Sequence, residues 1–238
     1  MFFRPLPRFT LFCLPLFLAL MALGFWQLHR LHWKLGLIGQ MNAHLHAPAL
    51  AFDQILKLPS PEREYRQVAL EGQFQNDREA FVYATGDGGL PVYHVIVPFR
   101  LDDGDMLLID RGIVPTKLKE PAARRAGILE GEQRISGVWR TPDAPGLFTP
   151  QPDIAQHVWY ARDVRGIERA LHLKLAAPVL VEAAAAPVRG GWPKGGQTVV
   201  QLRNEHLQYA ITWFLLAASL VVVYFAYHRA QGRLGVRR

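Results

Sequence analysis

The chain has 238 residues, half of them apolar, with 27 lysines and arginines against 20 acidic residues, a net charge of +7 and one cysteine. A lone cysteine excludes an intrachain disulfide, so any folded domain must be held by its core. Four of the positive charges crowd into the last ten residues, and no basic patch is interleaved with aromatics, which argues against nucleic acid as a partner.

Taken from the N-terminus, Phe9 to Leu28 contains no charged residue and reaches the roughly 20 residues that a spanning helix needs. Arg4 and Arg8 precede it as they would precede a signal peptide, but Ala19 to Gly24 is a poor small-residue cleavage site and the run continues through Phe25 and Trp26. The segment therefore reads as an uncleaved anchor. The short, serine-poor N-terminus does not resemble a mitochondrial transit peptide, which points to a bacterial source.

From His29 to Arg203 no long apolar run occurs, and Pro and Gly are frequent. Seven stretches alternate and are rich in β-branched and aromatic residues: Arg66 to Phe74, Glu79 to Thr85, Leu90 to Phe99, Asp105 to Val114, Gln133 to Arg140, His157 to Asp163 and Ala177 to Ala183. Turn formers separate them, and the short spacings favour antiparallel pairing. Asp102 to Asp105 (DDGD) suits a tight hairpin and lacks the ligand spacing of a calcium loop. Asp163 to Leu173 reads as a short amphipathic helix with Asp163 as its N-cap. Arg189 to Thr198, glycine-rich but without the ending of a phosphate loop, reads as a flexible lead-in to a second apolar run.

That run, Leu207 to Tyr227, is also uncharged. Arg229, Arg233, Arg237 and Arg238 follow it with no acidic residue, and a short basic tail of this kind stays in the cytoplasm. The expected organisation is a cytoplasmic tail (1–8), a transmembrane helix (9–28), a periplasmic β-rich domain (29–206), a second transmembrane helix (207–227) and a basic cytoplasmic tail (228–238). The fold class is an α+β membrane protein, multi-pass in a bacterial inner membrane, with two terminal helices flanking a mainly antiparallel β domain with a little helix.

The residues for nucleophilic catalysis are missing from this pattern. Ser60, Ser136 and Ser219 are the serines and none has a G-x-S-x-G frame, while Cys13 lies inside the first apolar run. The chain reads as no enzyme. Among the nine histidines, the pairs His29/His32 and His44/His46 lack a clear third ligand, while His94 lies within a strand and His157 ahead of one.

His206 opens the stretch NEHLQYAITWF. With Asn204 as helix cap, His206 sits in the first turn and is followed at helical spacing by Tyr209 and Trp213. A helix N-terminus favours the neutral imidazole, whose lone pair can ligate a haem iron above an apolar, aromatic face. The same residues also fit an interfacial histidine with an aromatic belt. At the outer end of the first helix, Trp26, Gln27, Arg30, Trp33 and Lys34 share a sector. The two cations could meet carboxylates such as haem propionates, or snorkel to the interface as anchors.

LGFWQLHRLHWK at the first run, IDRGIVP midway and NEHLQYAITWFLLA at the second closely resemble the Surfeit locus protein 1 family of cytochrome c oxidase assembly factors, in order and over nearly the whole chain. The resemblance implies a membrane protein that assists insertion of haem A into the catalytic subunit of a haem-copper oxidase. Its partners would be that subunit, the haem A synthesis machinery and membrane lipid. It also implies His206 as haem-iron ligand, with Tyr209, Trp213, Trp26, Gln27 and Arg30 at matching cofactor-binding positions. Asp110 and Ile113 stand where the family pattern has Asn and Trp, and Glu205 where Asn is common. A cofactor-free scaffold that stabilises oxidase subunits is the alternative.

Overall fold

The computed structural model describes residues 2–198 and 204–235. Arg203, Arg237 and Arg238, which the sequence places at the end of the β domain and in the basic tail, lie outside the described residues. In chain order the elements are β1 (Phe2–Phe3), α1 (Pro7–His46), β2 (Leu50–Ala51), α2 (Phe52–Leu56), α3 (Ser60–Arg63), β3 (Gln67–Phe74), β4 (Ala80–Thr85), β5 (Pro91–Leu101), β6 (Met106–Pro115), β7 (Glu132–Arg140), β8 (Val158–Trp159), α4 (Val164–Ala170), β9 (Leu180–Ala183), α5 (His206–Ala230) and β10 (Leu234–Gly235). They fall into two compact units, Met1–Gln40 with Gln201–Arg238, and Met41–Val200.

In the first unit, α1 and α5 are each long and apolar enough to cross a membrane. Their large apolar side chains, among them Leu11, Phe12 and Val222, are exposed, an arrangement that suits lipid as solvent. α1 has 40 residues and so is about 60 Å long, twice the roughly 30 Å hydrocarbon core. It outlasts the apolar run ending at Leu28 because no proline follows until Pro48, which disfavours helix at Ala47.

Small residues and polar bonds hold the helix pair. A Cβ on Gly24 would lie 2.5 Å from the Phe214 ring, and Ala210 and Ala217 are fully buried. Close approach at small residues is how helices associate where no water is expelled. Phe25 meets Phe214 edge-on with centroids 5.4 Å apart, and the Thr10 and Tyr224 hydroxyls are 2.7 Å apart. Beyond them β1 pairs antiparallel with β10.

The second unit is built on a closed ring of strands. β3 pairs with β7, β7 with β9, β9 with β6, β6 with β5, and β5 returns to β3. The return is possible at Gly72, where φ is 155° and a Cβ would lie 2.1 Å from the Arg100 carbonyl oxygen. Alternate residues then face two different cores. Phe99, Leu107, Ile109, Trp139 and Val181 fill the ring, with Ile55 of α2 among them. Ile96, Leu108 and Leu180 point to the other face, where Val164, Ile167 and Leu171 of the α4 segment cover them. Each large side chain so buried contributes roughly 1.5–3 kcal/mol. β4 and β8 extend the sheet beyond β5.

The seven predicted strands are present, with three adjustments. The stretch at His157 to Asp163 forms only the two-residue β8. β2–β3, β4–β8 and β6–β9 are parallel pairs in an otherwise antiparallel sheet; β6–β9 belongs to the ring and the other two lie at the ends of the strand order, neighbours that local spacing does not reveal. The predicted flexible lead-in is instead packed down: the Lys194 and Ile113 backbones exchange hydrogen bonds of 3.0 Å in both directions. That contact needs Gly112, at φ 107°, whose Cβ would lie 1.9 Å from the Lys194 carbonyl oxygen. DDGD forms the expected turn between β5 and β6, and the Asp163 carboxylate accepts from the Gly166 N–H at 2.9 Å as the α4 N-cap.

Candidate functional site

The first unit brings two of the predicted site residues into direct contact. His206, the first residue of α5, places its Nδ1 2.7 Å from the Gln27 Oε1 of α1. An amide oxygen can only accept, so Nδ1–H is the donor and the ring's lone pair resides on Nε2. A carboxamide or carbonyl behind one ring nitrogen is the usual device for fixing the tautomer of a ligating histidine.

The remaining candidates lie on the same two helices, Trp26 and Arg30 on α1 and Tyr209 and Trp213 on α5. Tyr209 and Trp213 follow His206 at three and seven positions on one face of α5. Tyr209 and Trp26 are each about half exposed, at 51% and 55%. Trp213 has a buried Nε1 without a hydrogen-bond partner. Arg30 lies over the Trp33 ring of its own helix, 4.2 Å from the centroid. Among the described residues Trp26, Tyr209 and Trp213 make no ring contact with one another. The predicted cap is displaced: Glu205, not Asn204, occupies the N-cap of α5 and gives no side-chain cap bond, while Asn204 Oδ1 is buried without a hydrogen-bond partner. No group of three or more His, Cys, Asp or Glu able to hold a metal ion occurs among the described residues. One imidazole with its Nε2 lone pair free is the kind of donor that a haem iron takes, the macrocycle supplying the other nitrogens.

Two polar features escaped the sequence reading. His228 is fully buried; its Nε2 accepts from the Leu6 N–H at 3.0 Å and its Nδ1 lies 2.8 Å from the Tyr224 carbonyl oxygen. It fastens the ends of the two helices, and a lone histidine at the close of an apolar run was the available signal. In the second unit, His94 Nδ1 lies 2.7 Å from Asp110 Oδ2, and Asp110 Oδ1 accepts from the Gly112 N–H at 2.8 Å. The aspartate in the middle motif thus fixes the bulge of β6.

Two arginines there show opposite electrostatics. Burial lowers Arg111 to about 10, helped by the positive charge of Arg124 and opposed by Glu79. Burial also disfavours the charge of Arg140, but Glu182, Tyr65 and Glu64 outweigh it and raise its pKa.

Fold and site together define a membrane protein of two spanning helices with a β-ring unit between them in sequence and one tautomer-fixed imidazole at the start of the second helix. The sequence pattern of the SURF1 family matches residues 14–218. A SURF1-like protein of Monosiga brevicollis is 35% identical over 91% of this chain and 86% of its own length. The Surfeit locus protein 1 of Takifugu rubripes is 32% identical over 86% and 90% respectively, and that of Homo sapiens 33% identical over 86% and 72%. The chain belongs to the SURF1 family.

Proposed function

We propose that this protein is an assembly factor, not a catalyst, for a haem-copper terminal oxidase, and that it binds or positions haem A for insertion into the catalytic subunit. The observation that carries the reading is the His206–Gln27 bond, which leaves Nε2 of His206 as a lone-pair donor. The haem, as cargo, would supply four macrocycle nitrogens and an iron with open axial positions. His206 would hold the iron, Gln27 would orient the imidazole, Trp26, Tyr209 and Trp213 would offer aromatic surface, and Arg30 would meet a carboxylate.

The proposed setting is a bacterial inner membrane with both termini cytoplasmic and the β unit periplasmic. Pairing of Phe2–Phe3 with Leu234–Gly235 supports termini on one side, and Arg229 and Arg233 support the cytoplasmic assignment. The catalytic oxidase subunit, the haem A synthesis machinery and membrane lipid are the proposed partners.

The deciding experiment is the absorption spectrum of detergent-purified protein from cells that make haem A, beside His206→Ala, with pigment extraction. A Soret band in the parent that is lost in a folded, inserted variant and yields haem A is expected. A full haem complement in His206→Ala overturns the ligand role. A second reading, a cofactor-free scaffold, draws on Leu147 and Phe148, which stand 93% and 94% exposed on the β7–β8 loop. It requires co-purification with oxidase subunits to survive haem depletion.

A further inference from the structure

The β7–β8 loop of the second unit carries a knob beside a hole. Leu147 and Phe148 at its tip are 93% and 94% exposed, two adjacent large apolar side chains that the rest of the unit leaves uncovered. Between the loop and α4 lies a cavity of about 650 Å³, within the size range that holds a drug-sized ligand and therefore two large side chains. Pro150, Pro152, Ile154, Tyr160 and Ala161 give it an apolar wall. Ile154 and Tyr160 are themselves 48% and 41% exposed, so that wall opens to the surface. Leu147 reaches the rim of the cavity, whereas Phe148 is no part of its lining.

Charge matches as shape does. From Thr141 to Ala161 there is no lysine or arginine, while Asp143 and Asp153 make the loop acidic; the Asp143 side chain is 64% exposed and comes only within 4.0 Å of Arg162. The cavity wall holds an exposed cation, Arg169, which has no ion pair among the described residues, Glu168 being paired with Arg165 instead. Asp163, the other charge of the lining, is engaged as the α4 N-cap. An acidic loop with an apolar tip therefore complements the cavity beside it, yet it cannot enter a cavity that it helps to wall. A second copy can, because in a two-fold pair one patch meets itself, knob to hole and hole to knob. Pro142, Pro145, Pro150 and Pro152 restrict the loop and reduce the entropy lost on docking.

We propose that the tip and the cavity form a self-association surface: in a two-fold pair of this chain, Leu147 and Phe148 of each copy enter the cavity of the other, and the acidic loop that carries them meets Arg169. The proposal gives the tip to a second copy rather than to an oxidase subunit and does not depend on haem.

The test uses the full chain in liposomes of phosphatidylethanolamine and phosphatidylglycerol, with donor and acceptor dyes on separate preparations and energy transfer read against the protein-to-lipid ratio. The parent is expected to transfer energy, and excess unlabelled parent to abolish the transfer. Phe148→Asp spoils the knob and Ala161→Phe fills the hole; each alone is expected to weaken association about tenfold or more, the scale on which a central interface side chain acts. Donor-labelled Phe148→Asp mixed with acceptor-labelled Ala161→Phe is expected to associate more tightly than either variant with itself, because the intact tip of the second meets the intact cavity of the first. Should Ala161→Phe fail to fold, Arg169→Glu, at an exposed position, takes its place. A parent that stays monomeric leaves the tip to lipid or to an oxidase subunit and overturns the proposal. So does a pair that both variants leave intact, or two weakened variants that do not recover on mixing.

Discussion

The helix pair and the β unit bury opposite kinds of residue. In the helix pair the large apolar side chains point outward and what is enclosed is small or polar: Gly24, Ala210, Ala217 and His228. In the β unit β5 and β6 are buried on both faces and β3 and β7 on one, and enclosed charges are paired, Arg124 with Glu79 and Arg162 with Glu182, apart from Arg111, which donates to the Gly127 carbonyl. The difference follows from the solvent. Helices in lipid gain nothing by hiding leucines and are held by close backbone approach and hydrogen bonds, whereas a unit in water is held by apolar burial. Charge is divided the same way, since Glu205 is the one acidic residue in the first unit and the other 19 of the 20 lie in the second.

The largest expected effect is Glu79→Ala, which leaves the Arg124 guanidinium buried without the carboxylate that now accepts from both its terminal nitrogens. Removing one partner of such a pair costs about 3–5 kcal/mol. Urea denaturation should show that loss in the β unit while, on the proposed haem reading, the absorption spectrum of the protein that stays folded is unchanged. A loss below about 1 kcal/mol would mean that water reaches the pair.

The complementary break is Gly24→Leu. The new side chain meets the Phe214 ring, already 2.5 Å from the Cβ position, and overpacking of this kind costs about 1–3 kcal/mol. Protease accessibility of the helix ends should rise while the β unit melts as before, and Phe214→Ala in the same chain should restore the pairing. A β unit that melts earlier in Gly24→Leu would show that the two packings are not independent.

Sequence legibility follows the same division. The spans, the seven strands, the DDGD turn and the Asp163 cap rest on local signals: charge-free runs, two-residue alternation and a capping side chain. Ring closure through Gly72 and the parallel pairs of β4–β8 and β6–β9 depend on strands far apart in sequence and leave no local mark. Arg189 to Thr198 reads as a flexible lead-in because glycine implies freedom, yet Gly112 serves the opposite end, admitting the Lys194 carbonyl. At the candidate site His206 and Gln27 were both legible by position; that they bond to each other was not, because 179 residues separate them.

That bond gives the next prediction. Gln27→Leu removes the acceptor from His206 Nδ1–H and keeps a side chain of similar reach. Loss of such a supporting partner weakens metal binding about 10–100-fold, so on the proposed haem reading titration should show a shift of that order with the helices still inserted. Unchanged affinity would leave the bond a helix contact and nothing more.

The smallest expected effect separates the units by acid. The Glu168 carboxylate is held below its ordinary value of 4.5, first by the Leu175 N–H, then by Arg165, with burial acting against them. The Leu175 N–H donates at 3.0 Å and Arg165 at 2.7 Å. A depressed folded pKa contributes stability that is complete above pH 4.5 and is lost as pH falls through the folded value. Glu168→Gln still offers Leu175 an oxygen but cannot be protonated, so its β-unit stability should sit slightly below the parent at pH 7 and converge with it below pH 4.5. The helix pair does not contain Glu168, so the substitution should leave its own stability curve as in the parent at every pH. Parallel stability curves for parent and variant down to pH 3 would place the acid sensitivity on other carboxylates of the β unit.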